Sequence, residues 1–144
     1  MSTNRSTRVA AAQTRPAAVP GERTVLAFDF GERRTGIAVG QELGATARPL
    51  AVIVSRSDRE RLERLSPFVA EWEPDCFVVG RPTHPDGAAH ALTARAERFS
   101  RQLRARFGRP VFLVDERYSS IGSSSDAEAA AEILRRFHEM HGQR

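Results

Sequence analysis

Asp29 constrains this chain more than any other residue. It closes an uninterrupted apolar run, Val25 to Phe28, and a short glycine-bearing turn, Gly31 to Arg34, then leads into a second apolar run, Thr35 to Val39. Strands that are apolar at nearly every position are buried on both faces, which calls for a layered α/β architecture. A carboxylate at the end of such a strand costs free energy unless hydrogen bonds, an arginine or a metal ion compensate it.

The remaining signals fit one domain built around that strand. With 144 residues and 40% apolar content, the chain has room for a single core, expected to span 23–144. Residues 1–22 are rich in Ala, Ser, Thr, Arg and Pro with Glu22 as their one acid, and are expected to form a disordered basic tail. Cys76, the single cysteine, allows neither a disulfide framework nor a cysteine-based zinc site and suits a reducing compartment. No apolar segment approaches the roughly 20 residues of a membrane span and the N-terminus has no apolar signal core, so a soluble protein not exported by that route is expected. All 22 basic residues are arginine, whose planar fork matches phosphate oxygens, so nucleic acid is a candidate partner; coding bias is the competing explanation.

Three strands, Thr24 to Phe30, Thr35 to Gly40 and about Thr46 to Val54, are joined by short turns and predict an antiparallel meander. A helical pattern opens at Asp58, with Leu62, Leu65, Val69 and Trp72 on one face. Pro67 predicts a kink or a break into two helices, with Ser66 capping the second. Cys76 to Gly80 reads as a buried parallel strand after this crossover. The stretch Ala88 to Phe107 reads as a helix with Leu92, Ala96, Phe99, Leu103 and Phe107 inward and Gly108 as its stop. Arg95, Arg98, Arg101 and Arg104 recur on its other faces, either as a basic patch or as a solvated surface. A strand at Val111 to Val114 runs into Asp115, Glu116 and Arg117. A last helix, Asp126 to Phe137, buries Ala130, Ile133, Leu134 and Phe137, and its spacing puts Asp126 on the same face, toward the sheet.

Asp29, Glu116 and Asp126 therefore stand at the ends of elements that a compact α/β domain brings together. Clustered carboxylates repel one another, and Mg²⁺ or Mn²⁺, which take oxygen ligands, would relieve that. Paired ions of this kind serve phosphodiester cleavage by activating a water and stabilising the leaving oxygen. Each acid also has an ordinary reading: Asp29 as a turn residue, Glu116 as the partner of Arg117 or another arginine, and Asp126 as a helix N-cap. The loop Arg81 to Gly87 lies beyond a strand's carboxyl end, where open α/β sheets bind ligands, so Arg81, Thr83 and His84 are candidate substrate contacts. Arg117 is a candidate to orient Glu116 or to bind a phosphate.

Four ordered motifs, FDFGERRTGIAVG from Phe28, TARPL at Thr46 to Leu50, VVGRPTHPDG at Val78 to Gly87 and DERYSS at Asp115 to Ser120, resemble the YqgF-like family of pre-16S ribosomal RNA nucleases and Holliday-junction resolvases. The resemblance covers about Arg23 to Met140. It implies a ribonuclease H-like fold, a five-stranded mixed sheet in the order 3-2-1-4-5 with helices on both faces. It also implies metal-dependent cleavage of a nucleic-acid backbone, in maturing the 5′ end of 16S ribosomal RNA in the bacterial cytoplasm, with branched DNA as a further substrate; the sequence leaves a monomer and a homodimer both open. By motif match, Asp29, Glu116 and Asp126 are the implied catalytic, metal-binding acids. Family members carry a longer excursion between the D-E-R motif and the last aspartate, where this chain has only Arg117 to Ser125. Nine residues span at most about 30 Å, which constrains how the last helix approaches the sheet.

That shortened link keeps open a non-catalytic RNA-binding, ribosome-assembly role. The span from Asp29 to Gly36 also resembles the phosphate hairpin of actin-like sugar kinases, but those enzymes need a second nucleotide-holding domain. In the expected sheet order, Glu116 sits two strands, about 10 Å, from the strand of Asp29. Its length helps to close that gap, and Asp86 or Asp115 could substitute for it.

Overall fold

The computed structural model describes residues 23–83, 92–117 and 126–141; the expected N-terminal tail lies outside the described residues. Five strands form one mixed sheet: β1 (Thr24–Asp29), β2 (Arg34–Gln41), β3 (Arg48–Val54), β4 (Cys76–Thr83) and β5 (Val111–Arg117). Their order is β3-β2-β1-β4-β5, with the first three antiparallel and β4 and β5 parallel to β1 and to each other. Among the described residues, three helices cover it: α1 (Asp58–Trp72), α2 (Thr93–Phe107) and α3 (Asp126–His141).

The alternation of side chains along the strands divides the core in two. Leu26, Phe28, Ile37, Val39, Phe77 and Val79 face α1 and α2, where Leu65, Val69, Trp72, Ala96, Phe99 and Leu103 meet them. Val25, Ala27, Ala38, Val78 and Val114 face α3 and pack on Ala130, Ile133, Leu134 and Phe137. β1 is central, and Val25 to Phe28 are fully buried, as an all-apolar run requires.

Of the kink or break expected at Pro67, the break with Ser66 as cap does not occur: Pro67 lies within one continuous helix, capped by Ser57, whose side chain accepts from Glu60 N. Pro67 is exposed, so water can serve the carbonyl that its missing N–H leaves free. Glu73 in a left-handed conformation ends α1, and Gly108 at φ 69° ends α2. The expected start of that helix at Ala88 lies outside the described residues, and Leu92 occupies the N-cap position. On the sheet edge, the β2–β3 register shifts between Ile37 and Ala38, beside Pro49. Edges and bulges are where a strand tolerates proline. No helix among the described residues is long and apolar enough to cross a membrane.

Candidate active site

Asp29 ends β1, and the alternation from Val25 and Ala27 puts it on the α3 face. It is flanked by two glycines. Gly36 is its direct partner on β2. On β4, the pairing of Phe28 with Val79 sets Gly80 beside it on the other side. Gly36 has no room for a side chain against fixed backbone, and Gly80 could take one only by displacing neighbouring side chains. A β-carbon on Gly36 would collide with the backbone of Asp126 and Ala127, and one on Gly80 would strike Ile133 and the carboxylate of Glu116.

These gaps bring the other two acids in. Glu116, two residues beyond buried Val114 on β5, also faces α3, and its carboxylate reaches across β4 above Gly80, toward Asp29. Glutamate's length thus bridges the intervening strand. Asp126 opens α3, and its backbone rests on Gly36. The shortened link from β5 therefore spans three strand spacings, roughly 14 Å, well within the reach of nine residues.

The electrostatics follow from that convergence. Burial, with the negative charges of Glu116 and Asp126, pushes the Asp29 carboxyl up to about 7. Burial also raises Glu116, with Arg136 on α3 opposing the shift and Glu132 adding to it. Asp126 is held by an arginine: Arg34 Nε donates to its Oδ2 at 2.8 Å. Among the described residues, no three acidic, histidine or cysteine side chains stand close enough to chelate one ion.

Of the other expected substrate contacts, Arg81 has a side chain among the described residues. Arg81 follows Phe77 and Val79 on the face away from Asp29, where Nε donates to Asp115 at 2.7 Å and Nη1 to Glu97 on α2 at 2.8 Å. Its guanidinium clamps β4, β5 and α2 together, and Asp115 is thereby committed on the face opposite Glu116. Thr83 and Arg117 pair in register at the ends of β4 and β5, and their side chains, like His84 and Asp86, lie outside the described residues. Of the four α2 arginines, Arg95 pairs with Glu32 at 3.1 Å and Arg98 with Asp58 at 3.6 Å, as a solvated helix face does. Gly36, Gly80 and Arg34 were missed as site residues. The signal was there for the glycines: a glycine inside a strand pattern marks close approach of another group.

The strand order, the helices on both faces and the acids at the carboxyl end of the central strand define a ribonuclease H-like domain. The chain belongs to the RuvX family, whose model, described as Holliday junction resolvase, matches residues 23–139. It is 46% identical over 139 residues to a Paraburkholderia phytofirmans protein named "Putative pre-16S rRNA nuclease", covering 83% of this chain and 95% of that one. A Polaromonas protein of the same name is 53% identical over 126 residues, covering 82% and 91%. Among solved structures, Thermus thermophilus RuvC in complex with a Holliday junction superposes with a TM-score of 0.53 at 16% identity, covering 83% of this chain and 97% of that one. That likeness is one of fold.

Proposed function

We propose that this protein is a cytoplasmic nuclease that hydrolyses phosphodiester bonds in structured RNA, with the 5′ precursor segment of 16S ribosomal RNA as its substrate and Asp29, Glu116 and Asp126 as its catalytic carboxylates. One observation carries the reading: the row Gly36, Asp29, Gly80 has no side chains on either flank, and two further acids enter from opposite sides. The names of the relatives supply the substrate. The family's description favours branched DNA as a second substrate.

The donor set suits Mg²⁺ or Mn²⁺: the carboxylate oxygens are hard ligands, and the charge on Asp29 is under-compensated where it is buried. Asp29, Glu116 and Asp126 would hold such an ion by drawing their carboxylates closer together than they stand here, and the ion would polarise a phosphoryl oxygen and make water acidic enough to attack. The chain's own contributions are distinct. Asp29 sits on the most buried strand and fixes the centre of the site. Its raised carboxyl can hold or release a proton near neutral pH. Glu116 is oriented by the space above Gly80, and Arg34 restrains Asp126 at the mouth of the site.

The test is cleavage of a 16S precursor fragment and of a four-way DNA junction in Mg²⁺ or Mn²⁺, comparing the natural protein with Asp29→Asn. Cleavage by the first alone supports the assignment. Equal cleavage by both sinks the metal-site reading, and cleavage by neither favours a ribosome-assembly factor that binds RNA without cutting it.

A further inference from the structure

The β1–β2 hairpin borders a second polar site. Its tip, Glu32 and Arg33, walls a cavity of about 240 Å³ on the α1 and α2 side of the molecule, completed by Arg56, Ser57 and Asp58 where β3 passes into α1, and by Arg61 and Arg95. Four arginines against two carboxylates leave it positively charged.

Arg61 is a buried base to this cavity. It is 1% exposed and lies over the ring of Phe30 at 4.7 Å, with Nη1 donating to Asp58 at 2.9 Å and Nη2 to the Glu32 carbonyl at 2.7 Å. Its Nε has no hydrogen-bond partner among the described residues. Both carboxylates are occupied, Asp58 by Arg61 and Gln102, and Glu32 by Arg95. Arg33 and Arg56 are exposed and make no ion pair within 4 Å among the described residues, although the backbone N–H of Arg56 and, more weakly, its charge help to hold the Glu60 carboxyl low. Yet the backbones that carry them are fixed to each other and to α1: Ser55 N donates to the Arg33 carbonyl at 2.8 Å, and Arg56 N donates to Glu60 at 2.7 Å.

Two exposed guanidinium groups on a hydrogen-bonded frame, beside a buried third, match the charge and fork geometry of phosphate oxygens. We propose that this cavity receives a backbone phosphate of the nucleic-acid strand, away from the bond that is cut. The inference rests on the nucleic-acid substrate proposed above. A strand held here and at Asp29 would wrap the hairpin, because the two sites flank it on opposite sides of the sheet.

The experiment measures binding of a labelled 16S precursor fragment to the Asp29→Asn protein in EDTA, across about 50–200 mM salt. In that background, Arg33→Ala with Arg56→Ala is compared with Arg101→Ala with Arg104→Ala, which removes the same charge from α2. The cavity pair is expected to lose at least tenfold in affinity, and the slope of log affinity against log salt is expected to fall by about 0.7–0.9, the value of one phosphate contact. The α2 pair is expected to lose under threefold. Equal losses for the two pairs, or no RNA binding by the parent, would overturn the proposal. If the double variant does not fold, Arg56→Glu alone carries the test, with at least tenfold loss expected and retained affinity overturning it. Cleavage is not read here: if the natural protein fails to cleave in the test above while binding through this cavity holds, the nuclease reading falls and the phosphate site stands.

Discussion

The carboxylate of Glu116 rests against Gly80 so closely that a β-carbon on residue 80 would lie 2.8 Å from its Oε1. The glycine is the space through which an acid on β5 reaches the site on β1. Gly80→Ala should therefore displace Glu116 and press on Ile133. We expect cleavage to fall at least tenfold, with a stability cost of roughly 1–3 kcal/mol from overpacking. Turnover and thermal melting, measured together, check this. Unchanged turnover with lowered stability would make Gly80 a packing residue only.

Asp29→Asn should stabilise the fold while abolishing cleavage. The folded carboxyl is raised from 3.8 to about 7, so the folded state binds more protons than the unfolded one across that window. Stability is thus fully present below about pH 4 and is lost as pH rises through about 7, at up to about 1.4 kcal/mol per unit. Asparagine carries no such loss. Thermal melts should show the variant more stable than the natural protein by roughly 2–4 kcal/mol at pH 8 and nearly equal to it at pH 3.5. A difference independent of pH would refute a buried, raised carboxyl.

Mn²⁺ should raise the melting temperature of the natural protein at pH 8, because a ligand that binds only the folded state stabilises it by mass action. The shift should be absent in Asp29→Asn, and EDTA should end cleavage. An identical Mn²⁺ shift in both proteins would place the ion elsewhere.

Arg34→Ala removes the 2.8 Å pair with Asp126. The arginine is 61% exposed, so the stability change should stay within about 1 kcal/mol. Loss of a cation beside three carboxylates should instead tighten Mn²⁺ binding severalfold, read from the concentration dependence of the melting shift. Weakened Mn²⁺ binding would mean that Arg34 holds Asp126 in its binding geometry.

Much of this arrangement was legible in the chain. The apolar run before Asp29 identified the central buried strand, and Gly108 stopped α2 where a left-handed residue was expected. The spacing of Asp126 with Ala130, Ile133 and Phe137 predicted a helix start turned toward the sheet, and Asp126 rests on Gly36. Pro67 left a kink and a break both open, because a proline's effect depends on whether its turn faces water, and that is a property of packing. Arg61 was illegible for the same reason: a buried guanidinium needs Phe30, Asp58 and the Glu32 carbonyl around it, and these come from separate elements.

The sequence by itself determined the order of elements, the core stripes and the position of Asp29, because those depend on local periodicity and on the cost of burying a charge. Only the tertiary structure decided which acids meet. Pairing register set Gly36 and Gly80 beside Asp29, and strand alternation sent Glu116 to the α3 face and Asp115 to the other. A one-residue change of register would exchange those faces, and register is settled by the packing of all five strands together.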